Sequence, residues 1–152
     1  MPDYSGALND VLVKLFNRIL SIEERVINQA YAGGLTITEI HVLEAVGADR
    51  WRSMSEIAAR LGITLGTLTT SMNRLERKGY VTRVRPDQDR RVVLVGLTPN
   101  GLDAYRFHEV FHSEMVAAIL HDLSPDDQVA TLGAAQKLYE FFLKVEPCDI
   151  VR

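Results

Sequence analysis

The sequence predicts a mainly α-helical protein with one small β-hairpin. Apolar residues recur every three or four positions over most of the 152-residue chain, which is typical of amphipathic helices. Between residues 81 and 97 this period gives way to two stretches rich in β-branched residues, separated by a turn. A hydrophobic content of 47% is enough to bury a substantial core, so the length fits a single domain.

The first two helices are predicted from an apolar face and from a cap. Leucine, isoleucine and valine side chains form a continuous apolar face along residues 5–31, and a pair of glycines then interrupts the helix. Thr36 and Glu39 form the capping-box pattern that opens a second helix, which we expect to end near Gly47.

The third and fourth helices are predicted to form a helix-turn-helix. Residues 54–61 form a short helix that Gly62 closes, and residues 65–78 form a longer one with Thr64 as its N-cap. A small residue lies where the two helices must approach closely, and a glycine lies in the turn, where a positive φ is often needed. Gly79 is placed to end the longer helix in the left-handed conformation.

A hairpin and two further helices complete the predicted elements. Residues 81–85 and 91–97 are the two strands, and the Pro-Asp-Gln-Asp between them is typical of a turn. A threonine and a serine that each precede a proline start helices over about 99–121 and 125–145.

This order of elements predicts one domain with two regions. Within residues 1–152, residues 36–98 are expected to form a winged helix-turn-helix region that binds DNA. Residues 4–32 and 99–146 are expected to form a helical dimerisation region, because the apolar faces along residues 8–26 and 129–145 exceed what one winged region can cover.

Charge is distributed unevenly along the chain. The net charge of -3 alone argues against a nucleic-acid partner. Residues 50–91, however, contain ten basic and four acidic side chains, a local charge of +6, which leaves −9 on the remainder. A basic segment that coincides with a helix-turn-helix is the footprint expected for binding double-stranded DNA.

The fourth helix has the composition of a helix that enters the major groove. Leu68, Met72 and Leu75 form its buried face, and the opposite faces carry hydroxyl, amide and basic side chains. Four threonines and serines within five positions lower helix propensity, a cost that contact with a groove would explain. Base edges are the predicted contacts of Thr67, Thr70, Ser71 and Arg74. Phosphates are the predicted contacts of Arg77 and Lys78. Contacts with either bases or phosphates are predicted for Thr64, Thr69 and Asn73.

The hairpin is predicted to act as a basic wing. Arg90 and Arg91 lie at or just after its tip, from which an arginine can enter the minor groove. Arg85 is expected to contact phosphate. Asp89 is expected to orient a neighbouring arginine, since phosphate would repel its carboxylate.

Three runs of residues resemble the signature of MarR-type transcriptional regulators. They are residues 75–80 (Leu-Glu-Arg-Lys-Gly-Tyr), 87–91 (Asp-Gln-Asp-Arg-Arg) and 97–101 (Leu-Thr-Pro-Asn-Gly), and the similarity extends over nearly the whole chain. The resemblance implies an obligate homodimer in which the first helix and the last two helices of each subunit interlock. Each subunit would offer one winged region to half of a palindromic operator, with the recognition helices about 34 Å apart.

A narrower resemblance suggests an effector. Residues 64–71, 90–93 and 106–112 are similar to those of FabT-type repressors of bacterial fatty-acid synthesis genes. That similarity implies an acyl chain as the effector, carried on acyl carrier protein, which strengthens operator binding. No cofactor is expected to be required. The alternative is a MarR-type regulator of other genes that senses zinc or another small ligand.

The zinc alternative depends on the histidines. His108 and His112 lie four residues apart on the fifth helix, so they share a face at a spacing that suits zinc. MarR-type zinc sensors use ligands from the corresponding helices, which implies His41 and either Glu23 or Glu24 as further ligands. We select Glu24 as the acidic ligand. Hydrogen-bonded histidines without a metal are the favoured interpretation, because this spacing alone is a weak signal.

Several other classes of protein are disfavoured. We do not expect an enzyme, because the sequence has no glycine-rich phosphate loop, nucleophile elbow or paired acid constellation. No stretch approaches about 18 apolar residues and no secretory signal is recognised, so a cytoplasmic protein without membrane contact is expected. The single cysteine, Cys148, excludes an internal disulfide and a thiol sensor in the first helix. A winged module that binds a protein instead of DNA is the other alternative.

Overall fold

The helices and strands follow the chain in the predicted order, with one additional strand. The computed structural model describes residues 4–32, 34–87 and 89–145. Its helices and strands are α1 (Tyr4–Tyr31), α2 (Ile37–Val46), β1 (Arg52–Ser53), α3 (Met54–Leu61), α4 (Leu65–Arg77), β2 (Val81–Val84), β3 (Leu94–Leu97), α5 (Pro99–His121) and α6 (Pro125–Lys144). The predicted fold class, mainly α-helical with a small β-hairpin wing, is thereby confirmed.

A few predictions concern residues outside the described ranges. They involve residues 1–3 before the first helix, Gly33 after it and Gln88 in the hairpin turn. Residue 146, the predicted end of the helical region, and Cys148 also lie outside these ranges.

Capping residues set the ends of the helices that form the winged region. At the start of α2 the Glu39 N–H donates to Thr36 Oγ1 over 3.2 Å, and the Thr36 N–H donates to the Glu39 carboxylate over 3.0 Å. A second capping box, between Ser53 and Glu56, starts α3. Gly62 ends α3 in the left-handed conformation at φ 64°, which is the turn that the helix-turn-helix pattern predicts.

The sheet contains three strands in the order β1-β3-β2, and both pairs are antiparallel. β1 was not predicted, because a strand of two residues shows no alternation of polar and apolar side chains. The hairpin strands end at the pair Val84–Leu94. The predicted strands, 81–85 and 91–97, are therefore too long at the hairpin end.

The chain divides into two compact units, Met1–His108 and Glu109–Arg152, with the boundary within α5. The core of the first unit includes the predicted inner face of α4: Leu68, Met72 and Leu75 are all 0% exposed. This burial fixes which faces of α4 remain at the surface. None of the helices in the described ranges combines the length and the apolar composition required to cross a lipid bilayer.

Gly101, in the first turn of α5, marks an approach of two backbone segments that only glycine permits. A Cβ built here would lie 1.9 Å from the Tyr80 carbonyl oxygen. We expect Gly101→Ala to lower the free energy of unfolding by about 3 kcal/mol, measured by urea denaturation, because the backbone must shift to accommodate the methyl group.

The matched control is Gly133→Ala in α6, where a Cβ meets nothing within 4 Å. This variant should gain about 0.5–1 kcal/mol from helix propensity. Equal stability of the two alanine variants would contradict the assignment of a close approach at Gly101.

Candidate nucleic-acid interface

The surface of α4 presents the side chains that were predicted to contact DNA. Its buried face turns toward the core, so the remaining faces are accessible. Among the predicted contact residues on this helix and its cap, those exposed are Thr64, Thr67, Thr69, Thr70, Asn73, Arg74 and Arg77, and Ser71 is half-buried. These hydroxyl, amide and guanidinium groups can together contact base edges and phosphates.

The hydroxyl groups on α4 are hydrogen-bonded within the helix. Thr69, Thr70 and Ser71 each donate to the carbonyl oxygen four residues earlier, over 2.7, 3.3 and 3.4 Å. Thr64 is the N-cap and accepts the N–H of Thr67 over 3.2 Å. A hydroxyl whose proton is used in this way still offers its oxygen as an acceptor. Thr69, Thr70 and Ser71 are therefore suited to accept hydrogen bonds from base amino groups.

The hairpin turn differs in detail from the prediction. Asp89 accepts the backbone N–H of Arg91 over 3.0 Å, so its carboxylate shapes the turn instead of holding a guanidinium. The ion pair forms between Arg90 and Asp87, 3.6 Å apart, and both side chains are at least 80% exposed. Exposed pairs of this kind contribute little, so Arg90 can exchange Asp87 for DNA at small cost.

A cleft of about 340 Å³ joins the wing to the start of α4. Arg91 lines one side of this cleft, and Leu65, in the first turn of α4, lines another. Leu65 is 50% exposed and places an apolar group beside the basic wing. The wing and α4 therefore both line this cleft. Leu65 was not among the predicted contact residues.

Lys78, a predicted phosphate contact, is exposed but pairs with a carboxylate of the protein. Its Nζ donates to both carboxylate oxygens of Glu39, over 2.7 and 2.8 Å. Glu39 is only 6% exposed, and a buried carboxylate is costly unless a cation pairs with it. Lys78 therefore holds the end of α4 against α2, and its phosphate contact stays a prediction.

The pair formed by Glu39 and Lys78 should make stability depend on pH. Burial raises the pKa of Glu39, but hydrogen bonds from Lys78 and Thr36 outweigh burial and hold this pKa below its usual value. A lowered pKa stabilises the fold above the unfolded-state pKa, and the contribution is lost as pH falls through the folded-state pKa. We expect Lys78→Met to lower the free energy of unfolding by about 2–3 kcal/mol at neutral pH, with the difference shrinking below about pH 4.

Urea denaturation across this pH range tests the assignment, with Arg77→Met as the matched control. Arg77 is exposed on the same turn of α4, so its loss should change stability by less than about 0.5 kcal/mol while weakening DNA binding. A Lys78→Met protein of unchanged stability and weakened DNA binding would assign Lys78 to phosphate contact alone.

Arg83 forms a link between β2 and α4 that sequence analysis missed. Its Nη2 donates to Oδ1 of Asn73 over 2.9 Å, and its Nε lies 3.7 Å from Oε2 of Glu76. The partners are separated by a turn and lie on different elements, so no local sequence pattern indicates the contact. Arg85, two residues later, is exposed and accessible to phosphate.

The structure brings together part of the predicted metal-ligand set. His108 is 0% exposed; its Nδ1 lies 2.8 Å from Oε1 of Glu44, and its Nε2 lies 3.7 Å from Oε1 of Glu23. The ring centroids of His41 and His108 are 5.6 Å apart. One ligand atom from each of Glu23, His41 and His108 lies within 4.8 Å of the other two.

The acidic member of this group is Glu23 and not the predicted Glu24. Glu23 is 3% exposed and Glu24 is exposed, because consecutive residues on a helix point about 100° apart. The sequence contained a signal for this choice, since Glu23 precedes the buried Ile27 by four residues and so shares its face. His112 follows His108 by one turn of α5 and belongs to the second compact unit, and its role as a ligand stays a prediction.

Comparison with known proteins identifies the family. A sequence model described as MarR family matches residues 33–92. The HTH-type transcriptional regulator YkoM of Bacillus subtilis is 30% identical over 118 residues, which cover 77% of each chain. The chain belongs to the MarR family. The HTH-type transcriptional regulator SarZ of Staphylococcus saprophyticus is 41% identical over 69 residues; these are 45% of this chain and only 47% of SarZ, about half its length.

Solved structures agree with the family assignment. Streptococcus pneumoniae FabT, whose crystal structure is in complex with DNA, matches this MarR-family chain with a TM-score of 0.89 and 37% identity, over 95% of this chain and 100% of FabT. The protein is thus a DNA-binding transcriptional regulator with a winged helix-turn-helix, and not an enzyme, as predicted. Membership of the MarR family excludes the alternative in which the winged module binds only protein.

Proposed function

We propose that this MarR-family regulator is a homodimeric repressor of fatty-acid synthesis genes, and that acylated acyl carrier protein strengthens its binding to a palindromic operator. The observation that carries this proposal is the 37% identity to FabT along 95% of the chain. The motif similarities in residues 64–71, 90–93 and 106–112 support it independently of overall fold.

Uncovered apolar surface supports the homodimer. On α1, Val11 and Phe16 are 60% and 57% exposed. None of the residues of α6, all of which are described, is buried, and Val129 and Leu132 are 74% and 61% exposed. Exposed apolar surfaces of this kind mark interfaces. We assign a second copy of the chain as the partner that covers these apolar faces of α1 and α6.

An apolar groove in the second compact unit fits the same assignment. Its volume is about 520 Å³. Its lining is Val116, Ile119, Leu120, Gln128, Val129, Thr131, Leu132 and Ala135. Apolar side chains from a second copy would fill this groove. Because apolar residues of both α5 and α6 would then be buried between the subunits, the dimer would be obligate.

Each subunit of the dimer would read half of the operator. We assign base edges to Thr67, Thr70, Ser71 and Arg74 in the major groove, and we assign Arg90 and Arg91 to the minor groove. Arg77 and Arg85 are assigned to phosphates. Two-fold symmetry then requires half-sites separated by about one turn of DNA, roughly 34 Å.

Binding of the operator with and without long-chain acyl carrier protein tests the effector. The operator is obtained by selecting duplexes from a random pool with the purified protein. We expect at least about tenfold tighter binding with the acylated carrier, which corresponds to a coupling free energy of about 1.4 kcal/mol. Unacylated carrier protein is the control. Equal affinity with both carriers would overturn the fatty-acid proposal and leave DNA binding intact.

The group formed by Glu23, His41 and His108 favours a second candidate function, a zinc-sensing regulator. Two imidazole nitrogens and a carboxylate oxygen within 4.8 Å form a donor set that suits zinc. The contact between Glu44 and Nδ1 of His108 resembles the carboxylate that orients a zinc-binding histidine and leaves Nε2 for the metal. Bound zinc would supply positive charge to this buried acidic site.

Elemental analysis of protein purified without chelator tests the zinc candidate. About one equivalent of zinc, lost in the variant His41→Ala, would support it. Less than about a tenth of an equivalent, with operator affinity unchanged by added zinc, would overturn it.

A further inference from the structure

We propose that Arg83 is a positioning residue for base recognition: it holds the Asn73 carboxamide so that Asn73 presents its amide N–H2 group to the major groove. The proposal rests on the proposed function, because it requires α4 to lie in that groove. It concerns specificity, since amide donors select among bases by their acceptors.

The contacts of Arg83 fix both ends of its side chain. Its backbone belongs to β2, where it pairs with Val95 of β3. Its guanidinium reaches α4 and contacts Asn73 at 2.9 Å and Glu76 at 3.7 Å. The two partners are three residues apart and are therefore neighbours on the helix surface. With 22% of its side chain exposed, Arg83 is more restrained than a solvated surface arginine.

The chemistry of the two side chains determines the orientation of the amide. A guanidinium has only donors, so the group that faces it must be the carboxamide oxygen of Asn73. A guanidinium cannot accept a hydrogen bond, so the amide N–H2 group of Asn73 must find its acceptor elsewhere. Asn73 is exposed, so this nitrogen is accessible to DNA.

This orientation changes which base Asn73 can recognise. An asparagine that recognises adenine uses its oxygen and nitrogen together, accepting from N6 and donating to N7. With one lone pair of its oxygen used by Arg83, Asn73 offers mainly its amide donors, which match the adjacent acceptors O6 and N7 of guanine or O4 of thymine. Adenine offers these donors N7 alone, beside an N6 amino group that cannot accept. Asn73 should therefore favour guanine or thymine over adenine.

Selection of duplexes from a random pool, repeated with variants of the full chain, tests this inference. The base pair whose preference disappears in Asn73→Ala is the one that Asn73 reads. At this pair we expect guanine or thymine with the wild-type protein. Arg83→Met frees the carboxamide oxygen, so adenine should rise about fivefold or more. Arg83→Lys keeps a donor and should restore the wild-type base.

Glu76→Gln is the matched control, because it weakens the ion pair of Arg83 and leaves its hydrogen bond to Asn73. It should select the wild-type base. The same switch to adenine in Glu76→Gln would attribute the effect to a displaced helix and overturn the proposal. An unchanged motif in Asn73→Ala, with weaker binding to all duplexes, would indicate a phosphate contact and also overturn it. If the wild-type protein enriches no motif, the proposed function fails first, before any variant is compared.

Discussion

Replacing both wing arginines, in Arg90→Ala/Arg91→Ala, should weaken operator binding by at least about 1000-fold. An arginine in the minor groove or on phosphate contributes about 1–3 kcal/mol, and a dimer would lose four of them. The weak pair of Arg90 with Asp87 leaves most of this energy available for DNA. Fluorescence anisotropy with a labelled operator at fixed salt measures the change.

A charge-matched control separates this effect from the loss of positive charge in general. Arg25 and Arg106 are exposed and lie outside the basic segment of residues 50–91. Arg25→Ala/Arg106→Ala removes the same charge and should change the operator Kd by less than about threefold, because charges distant from DNA are screened. Comparable losses in the two double variants would remove the wing from the interface.

Breaking the proposed dimer should abolish operator binding as well. Leu132 and Tyr139 are 61% and 66% exposed and lie seven residues apart, on one face of α6. In Leu132→Asp/Tyr139→Asp, carboxylates would have to be buried in the interface at a cost of several kcal/mol. Analytical ultracentrifugation should show the 17.0 kDa monomer for the variant and a species of twice that mass for the wild type.

The control for this experiment places an aspartate on the other side of the same helix. Ala134 is exposed and lies about 200° from Leu132 around α6. Ala134→Asp should remain dimeric and should bind the operator with wild-type affinity to within a few fold. A dimer that persists in the Leu132→Asp/Tyr139→Asp variant would assign the exposed face of α6 to another partner.

Helix ends and buried faces could be predicted because their causes are local. The capping box of Thr36 and Glu39 and the left-handed Gly62 each depend on residues within one turn of the helix end. The inner face of α4 follows from a spacing of three and four residues. Which residues of α4 remain exposed, and so which can reach DNA, is a direct consequence of that spacing.

Contacts between distant residues could not be predicted from local sequence patterns. Lys78 pairs with a carboxylate 39 residues away, and no local pattern distinguishes it from its exposed neighbour Arg77. The contact of Arg83 with Asn73 depends on the register of β2 against α4. Net charge was a poor guide for a related reason: −3 for the whole chain conceals the +6 of residues 50–91.

The salt dependence of operator binding tests the central claim most directly. A dimer that places two to four basic groups per subunit on phosphates should show log K falling linearly with log salt concentration, with a slope of about −4 to −7. The Arg90→Ala/Arg91→Ala variant should show a shallower slope, and a scrambled duplex should bind at least about 1000-fold more weakly than the operator. A flat salt response, or equal affinity for operator and scrambled DNA, would contradict the account of α4 and the wing as a sequence-specific DNA surface.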